Sequence, residues 1–343
     1  MSNRSLPVVV VAVACLVLVP AGAAAQSAGE PLRTAWGDPD LQGIWNNSTL
    51  TPFQRPAALG EQEFLTEEEA ARIEQEAADR NAELAGRPAL RTEAGQSVDR
   101  GVGGAPGAYN NFWMERGTTV LPTRRTSVIT DPPNGRLPAL TPELEAWMAS
   151  PEWRHIADVR GGRLPTETWE QLDGGDRCLW YRGVPSFPTA YNNHYQIAQT
   201  PDVVAILQEH IHDVRFIPID GRPHIDAAIR QFAGDSRGRW EGDTLVVETT
   251  HFNRHAFIRN FGPNLSEELH VVERFTRLGP DTLGYEFTVT DRKTWTQPWS
   301  GSLPMARTEG PVYEYACHEG NYGLFNMLAG SRAQEQAAAG EKP

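Results

Sequence analysis

Short apolar segments alternate with turn signals through most of the C-terminal half of the chain, a pattern that is typical of antiparallel β structure. Residues 203–207 form a continuous apolar run, which predicts a strand covered on both faces. A meander of at least seven such strands closes best as an antiparallel barrel or a folded-over sheet. The predicted strands are residues 41–45, 124–130, 195–199, 203–207, 215–219, 245–249, 269–278, 282–290, 299–305 and 312–316.

The predicted fold class is therefore mainly β, with an antiparallel, barrel-like core of the calycin or lipocalin kind. Gly43 and Trp45 in the first predicted strand have the Gly-x-Trp spacing with which lipocalin-type barrels begin. The alternative is a Trp packed on a Gly in an ordinary sheet, and both interpretations agree with a β core.

The residues before the core are too polar and too rich in Gly and Pro to form a core of their own. Thr66 and Glu69 form a capping box for a surface helix that ends near residue 84, and Thr141–Pro142 begins a second helix. Residues 86–107 show neither the helical nor the strand period of apolar positions, and this pattern predicts a linker. The predicted organisation is a signal peptide (1–25), an extension (26–150), a barrel-like domain (151–330) and a disordered tail (331–343).

The N-terminus has the features of a cleaved secretory signal: a basic Arg4, an apolar core at residues 8–19 and three alanines before Gln26. A lipoprotein anchored through Cys15 is the alternative. The sequence thus predicts a periplasmic or extracellular protein with no membrane insertion after signal cleavage. The net charge of −13 disfavours nucleic acid and anionic membrane surfaces as partners.

Two cysteines remain after signal cleavage, Cys178 and Cys317. In an oxidising compartment, two cysteines without a C-x-x-C partner predict one disulfide. The bond would join residues 317–322 to residues 177–181.

Charged side chains are densest in residues 208–224, at the end of the apolar run. His212, Asp213 and Arg215 offer an imidazole, an acid and a guanidinium close together. On a regular strand His212 and Asp213 face opposite sides, so Asp213 orients His212 only if a bulge or turn intervenes. The alternative is an Asp213–Arg215 pair that satisfies a buried strand end.

A second group of candidate residues lies beside the predicted disulfide. His318 and Glu319 precede a Gly-rich loop that contains Asn321 and Tyr322, and a loop fixed by a disulfide is a stiff platform for a catalytic histidine. Ten tryptophans, among them Trp295 and Trp299, predict either an aromatic-lined substrate site or the filling of a small barrel. Aromatic, Arg and acidic side chains together favour a small organic or carbohydrate ligand over a phosphate.

Four long motifs resemble those of a large family of uncharacterised secreted bacterial proteins. They are GDSRGRWEGDTLVVETTHF (234–252), VVERFTRLGPDTLGYEFTV (271–289), TWTQPW (294–299) and YEYACHEGNYG (313–323). The resemblance implies no particular activity. Members of that family often carry Met at the position of His210 and Asn at that of His194, so the resemblance favours His212, His224 and His318 as ligands.

The first hypothesis is a secreted hydrolase or lyase that works by general acid–base catalysis in a pocket at one end of the barrel. His212 and His318 would be its base and acid, and Asp213 and Glu319 the orienting acids. Arg215 would stabilise an anion and Tyr285 would donate a proton. The residues assigned to substrate binding are Trp295, Trp299, Asn321, Tyr322 and His224.

Two further hypotheses stay open. One is a non-catalytic, calycin-like carrier that binds an apolar small molecule inside the barrel. The other is a metal-dependent enzyme in which His212, His224 and His318 hold a divalent zinc or copper ion.

Overall fold

The computed structural model describes residues 32–86, 114–115, 117–161, 163–180, 183–253 and 266–340, and of His212 it describes the backbone alone. Eleven β-strands and four α-helices form in this part of the chain. The strands are β1 (Gly43–Asn46), β2 (Ile129–Asp131), β3 (His194–Gln199), β4 (Val203–Gln208), β5 (Val214–Pro218), β6 (Asp235–Glu241), β7 (Thr244–Thr250), β8 (His270–Gly279), β9 (Thr282–Thr290), β10 (Trp299–Ser302) and β11 (Met305–Arg307). The helices are α1 (Glu67–Gly86), α2 (Pro142–Met148), α3 (Pro151–Arg160) and α4 (Tyr322–Ala338).

All eleven strands belong to one antiparallel sheet, in which nine follow the order β5-β4-β3-β1-β11-β9-β8-β7-β6, while β10 pairs with β9 and with β2. The sheet curls until its first and last strands approach each other. A Cβ added at Gly238 of β6 would lie 2.7 Å from Ile219 and 3.0 Å from Ile217, at the end of β5. The sheet is therefore a nearly closed barrel, and the predicted fold class is confirmed.

Alternating burial along the strands separates the inside of the barrel from the outside. In β9 the odd-numbered residues from Leu283 to Val289 are buried, and their neighbours are more exposed. Trp299 of β10 packs edge-on against Phe287, with ring centroids 5.8 Å apart. Trp45 and Tyr285 belong to the same buried cluster. Large aromatic side chains thus fill the described interior.

The helices begin where local capping signals predict. Thr66 and Glu69 exchange reciprocal bonds, because the backbone N–H of Glu69 donates to Thr66 Oγ1 and that of Thr66 donates to Glu69 Oε2. Thr141 caps α2 by accepting a hydrogen bond from the Leu144 N–H at its Oγ1. Ser150 accepts a hydrogen bond from the Trp153 N–H and caps a further helix, α3, that starts at Pro151.

The barrel also uses a strand from the predicted extension. β1 pairs with both β3 and β11, so the barrel includes residues that lie well before position 151. The predicted signal peptide and most of the predicted linker lie outside the described residues. None of the helices in the described part of the chain has the length and hydrophobicity needed to cross a membrane.

Two expectations for the C-terminal region are wrong. Residues 312–316 form no strand, and residues 331–338 belong to α4 instead of a disordered tail. Asn321 caps α4 by accepting a hydrogen bond from the Leu324 N–H. Further along, Ser331 accepts a bond from the Thr166 N–H, and Arg332 donates to Thr166 O. These contacts with Thr166 stabilise the C-terminal part of α4, whose polar sequence does not by itself predict a helix.

The predicted disulfide between Cys178 and Cys317 is confirmed, with a Cα–Cα distance of 5.8 Å. Asn321 reinforces the junction, because its Nδ2 donates to Asp176 O at 2.9 Å. The disulfide therefore fixes the start of α4 to the loop before residue 180.

Removal of the disulfide should lower the free energy of unfolding. The bond spans 139 residues of sequence, and a loop of that size is worth at most about 5 kcal/mol in the chain-entropy model. Urea denaturation of a Cys178→Ser/Cys317→Ser variant measures the loss. Reductant should destabilise the parent and leave this variant unchanged; equal midpoints for the oxidised parent and the variant would contradict the expectation.

Candidate functional site

Four strand ends come together at one end of the barrel. Asn46 at the end of β1 pairs with His194 at the start of β3, and Tyr195 pairs with Gln208 at the end of β4. β5 then begins beside β4. Because side chains alternate along each strand, this end has an inner set of polar groups, which we call the inner network, and an outer set, which we call the outer cluster.

The inner network is built on a buried ion pair. Arg215 donates two hydrogen bonds to Glu273, from Nη2 to Oε2 at 2.6 Å and from Nη1 to Oε1 at 3.1 Å. Tyr285 donates from its hydroxyl to Glu273 Oε1 at 2.8 Å and accepts from the Ser186 N–H at 2.9 Å. The side chains of Arg215 and Glu273 are 3% and 0% exposed. Both carboxylate oxygens of Glu273 therefore accept hydrogen bonds from buried side chains of the protein.

The same contacts set the charges in the network. Burial raises the pKa of Tyr285 well above its usual value and the negative charge of Glu273 adds to the effect, so this hydroxyl keeps its proton. Burial works against the charge of Arg215, but Glu273 outweighs it and holds the pKa of Arg215 above its ordinary value. The structure thus brings the predicted anion stabiliser and proton donor together on one buried carboxylate. Their catalytic roles remain predictions.

Other buried polar atoms lie at this end of the interior. Both amide atoms of Asn47, the hydroxyl of Tyr195, Nε2 of Gln208 and Nε of Arg215 have no hydrogen-bond partner among the described residues. The β1–β3–β4 register places Tyr195 beside Gln208, and Asn47 follows β1 directly. This end of the interior therefore carries several buried polar atoms without a protein partner in the described part of the chain, and such atoms are rare in folded proteins.

Loss of Glu273 should destabilise the protein strongly. Glu273→Ala leaves the Arg215 cation buried without its partner, which costs about 3–5 kcal/mol in comparable cases. A double replacement, Arg215→Met/Glu273→Met, should recover part of that loss because no charge stays buried. The control Glu241→Ala removes a surface acid that pairs with Arg239 and should change little.

Chemical denaturation of the four proteins measures these differences. A Glu273→Ala variant as stable as the control would show that the pair contributes nothing. A double variant less stable than Glu273→Ala would show that the loss comes from packing and not from the unpaired charge.

The outer cluster is centred on His194. Its Nδ1 lies 2.8 Å from Glu209 Oε2 and 3.4 Å from Glu115 Oε1, and its Nε2 lies 3.2 Å from Asn46 Nδ2. Asn46 Oδ1 accepts the Ser48 N–H at 2.7 Å, so the amide NH₂ of Asn46 faces the imidazole. Nε2 of His194 is then the acceptor, and Nδ1 carries the proton that is donated to Glu209.

A tight turn after β4 positions Glu209. Residues His210–His212 form a 3₁₀ turn in which Ile211 has φ 61° and ψ 17°, the left-handed region that a β-branched residue rarely adopts. The Glu209 N–H donates to His194 O, which holds the acid next to the imidazole. A turn therefore replaces the regular strand on which His212 and Asp213 would face opposite sides, and strain of this kind is concentrated at functional sites.

His210 links the two segments that the sequence singles out. Its ring is stacked between Tyr191 and Tyr315, with centroids 5.2 Å and 4.7 Å away. Tyr315 lies two residues before Cys317, so the turn after β4 contacts the disulfide-linked segment. His318 and Glu319 themselves are exposed.

Glu209 is ionised by its neighbour. Burial opposes ionisation, but the hydrogen bond from His194 and the positive charge that its imidazole carries when protonated outweigh it and hold the pKa of Glu209 below the ordinary glutamate value. An ionised Glu209 orients Nδ1–H of His194 and would stabilise the imidazolium formed when Nε2 takes up a proton.

The stability contributed by Glu209 should depend on pH. A carboxyl with a lowered folded-state pKa stabilises the fold above its unfolded pKa, near 4.5, and loses this contribution as the pH falls through the folded-state pKa. Glu209→Gln should therefore be less stable than the parent at neutral pH, and the difference should shrink in acid. Urea denaturation over a pH series measures it, with the exposed Glu309→Gln as the control. A difference that stays constant with pH would refute the pairing.

A groove of about 330 Å³ runs past the outer cluster on the face of β1 and β11. Asn46, which contacts His194, forms part of its wall. Hydroxyl side chains dominate the rest of its polar lining, and no charged side chain is among the residues that line it. The hydroxyl-bearing residues are Ser48, Thr49, Thr118, Thr119, Thr282 and Thr308.

The residues predicted to bind substrate are dispersed. Trp295 and Trp299 lie in the core, 2% and 0% exposed, which agrees with the alternative use of large aromatics to fill the barrel. Asn321 caps α4, and Tyr322 is 75% exposed at the start of that helix. His224 lies in the loop after β5, where its Nδ1 is 2.7 Å from Asp235 Oδ2.

Of the predicted acid–base residues, Asp213 follows the turn, and its backbone oxygen accepts the Gln208 N–H. The side chain of His212 lies outside the described part of the structure, so its predicted role as a base stays a prediction. His318 also keeps its predicted role as an untested expectation.

Sequence reasoning missed three members of the outer cluster. Glu209 lies inside the charged segment 208–224 but was not singled out, and the resemblance set His194 aside. Glu115 comes from the extension and has no local signal. The β3–β4 register and the turn at Ile211 bring Glu209 to His194, and hydrogen bonds with Ala190 and Asn193 hold Glu115 beside them.

No protein-family model, curated protein or solved structure matches this chain. The resemblance of the four sequence motifs to a family of secreted bacterial proteins therefore stays a prediction. The functional argument depends on the geometry of the site.

Proposed function

We propose that the protein is a secreted enzyme that performs hydrolytic or eliminative chemistry on a neutral, hydroxyl-bearing small organic or sugar-like substrate, with His194 as the general base. The observation that carries the proposal is the orientation of this imidazole. Glu209 holds its Nδ1–H at 2.8 Å, and Nε2 is directed to Asn46 on the wall of the groove.

The proposed reaction begins when Nε2 of His194 takes a proton. In hydrolysis the proton comes from a water whose oxygen attacks the substrate, and the leaving group takes the proton back from Nε2. In elimination the proton comes from a carbon beside an electron-withdrawing group, and the C–H electron pair forms the new double bond. The leaving group departs with the electrons of its own bond to carbon and takes the proton from Nε2. In both cases Glu209 and Glu115 stabilise the transient imidazolium, while Asn46 must release its contact with Nε2.

The substrate class follows from the groove. Its hydroxyl side chains both donate and accept hydrogen bonds, which suits a neutral polyol or sugar. The carboxylates of Glu115 and Glu209 and the net charge of −13 disfavour an anionic substrate.

The groove also favours an enzyme over a calycin-like carrier. A carrier of that kind would hold its ligand inside the barrel, where Trp45, Tyr285 and Phe287 are packed in one buried cluster. The disulfide and the signal-like N-terminus support the proposed secretion to the periplasm or the extracellular space.

The test is a turnover screen on neutral esters, lactones, glycosides and uncharged oligosaccharides. Released acid or reducing sugar reports hydrolysis, and a new conjugated double bond reports elimination. On a substrate found in this way, His194→Gln should lower kcat by about 10²- to 10⁴-fold. Glu209→Gln should lower it too, because the imidazole loses its orienting acid.

His270→Gln is the matched control, since His270 also pairs with a glutamate, Glu248, but on the outer surface away from the groove. It should keep the parent's activity. His318→Gln, run in parallel, tests the base and acid predicted from the sequence alone. Full activity of a folded His194→Gln variant would refute the proposal, and so would the absence of turnover by the parent across the whole panel.

A further inference from the structure

We infer that His224, Asp235 and His251 form a binding site for a divalent transition metal of the zinc class. The three residues lie on the barrel wall near the β5–β6 seam, in a cluster separate from the one assigned to catalysis. One ligand atom from each lies within 4.8 Å of the other two. The inference does not rest on the proposed function.

Three different elements contribute to this site. Asp235 is the first residue of β6 and pairs with Thr250, the last residue of β7. His251 follows Thr250 directly, so the strand pairing places it beside Asp235. His224 reaches them from the loop after β5, and its ring centroid lies 5.5 Å from that of His251 in an edge-on arrangement.

His251 carries the strongest indication of a ligand. Its Nδ1 is buried and has no hydrogen-bond partner among the described residues, although buried ring nitrogens are nearly always paired. Its backbone has φ 57°, a conformation that costs energy for a residue other than Gly. Gln231 secures this conformation, since its N–H donates to His251 O.

Asp235 is held as an oriented carboxylate. Oδ2 is 2.7 Å from His224 Nδ1 and accepts the Ile225 N–H at 3.2 Å, and Oδ1 accepts from Arg237 Nη1 at 2.8 Å. Arg237 also donates to Pro223 O, which ties the loop that carries His224 to β6. Outer contacts of this kind orient the ligands of metal sites.

The donor set selects the class of metal. Two imidazoles and one carboxylate suit zinc, copper, nickel or ferrous iron, whereas calcium and magnesium need several oxygen ligands. Arg237 balances the charge of Asp235, which further disfavours a hard cation. Tetrahedral ligands at 2.0–2.2 Å from zinc stand about 3.4 Å apart. The ligand atoms of His224, Asp235 and His251 lie within 4.8 Å of one another. The two imidazole rings must therefore shift by about 1 Å to bring all three atoms to the spacing of zinc ligands.

Three protein ligands leave at least one coordination position open for water or another small molecule, as in catalytic zinc sites. The grouping differs from the three-histidine set expected from the sequence. His224 is shared by both sets, but its partners are Asp235 and His251 in place of His212 and His318.

The test uses the full protein, freed of any affinity tag and treated with a chelator. Calorimetric titration with Zn²⁺ should show one saturable site, and Co²⁺ should give a visible absorption band of a low-symmetry, nitrogen-ligated ion. At a Zn²⁺ concentration of about 100 times the Kd, the Tm should rise by about 4 °C. His251→Ala should weaken Zn²⁺ binding by about tenfold or more.

His251→Ala is the preferred variant because its ring donates or accepts no hydrogen bond among the described contacts, so the metal-free fold should survive. Asp235→Asn follows as the second ligand variant, with circular dichroism to confirm its fold. His270→Ala is the matched control, a histidine paired with Glu248 on another strand end, and should bind Zn²⁺ as the parent does.

Several outcomes would overturn the inference. One is the absence of a saturable site in the parent. Another is parent-like affinity in both His251→Ala and Asp235→Asn, which would leave the three residues as a purely structural network. Loss of binding in His194→Ala or His318→Ala, with His251→Ala unaffected, would assign the metal to a different cluster.

Discussion

The structure depends most on the buried ion pair between Arg215 and Glu273. Arg215 stands on β5, the first strand of the sheet, while Glu273 stands on β8, near the other end of the strand order. The guanidinium also donates to Ser236 on β6 and Thr249 on β7. One side chain thus links both edges of the sheet from inside. Since two desolvated charges separate only at high cost, the pair favours the closed barrel over an open sheet.

Closure of the barrel positions both surface clusters. The inner network occupies the interior where β3, β4 and β5 meet, so the neighbouring residues of the same strands must face outward. His194 is the outward neighbour of Tyr195 on β3, and on β6 Asp235 directly precedes Ser236, whose hydroxyl accepts from Arg215. The strained turn at Ile211 then brings Glu209 back onto His194. Each cluster therefore depends on strands whose opposite face is fixed by buried packing.

Rigid surroundings orient the His194 imidazole and the Asp235 carboxylate. His194 contacts an acid at Nδ1 and an amide at Nε2, and its position is fixed by paired backbone on β3. Asp235 is oriented in a similar way by Arg237 and by the Ile225 N–H. The disulfide at Cys178 joins the C-terminal segment to the same end of the molecule, where Tyr315 covers His210. Polar side chains that are already fixed by several contacts lose little conformational entropy when they react or bind a ligand.

The sequence by itself determined the elements, because their signals are local. Period-two alternation marks β8 and β9, the Thr66 capping box begins α1, and two remaining cysteines can pair in one way only. It did not determine which polar side chains meet. His194 and Glu209 touch because of the β3–β4 register and the left-handed Ile211, and His224, Asp235 and His251 meet through the β6–β7 register and a long loop. α4 likewise depends on contacts with Thr166. Register, barrel closure and docking are nonlocal, so only the tertiary structure decided them.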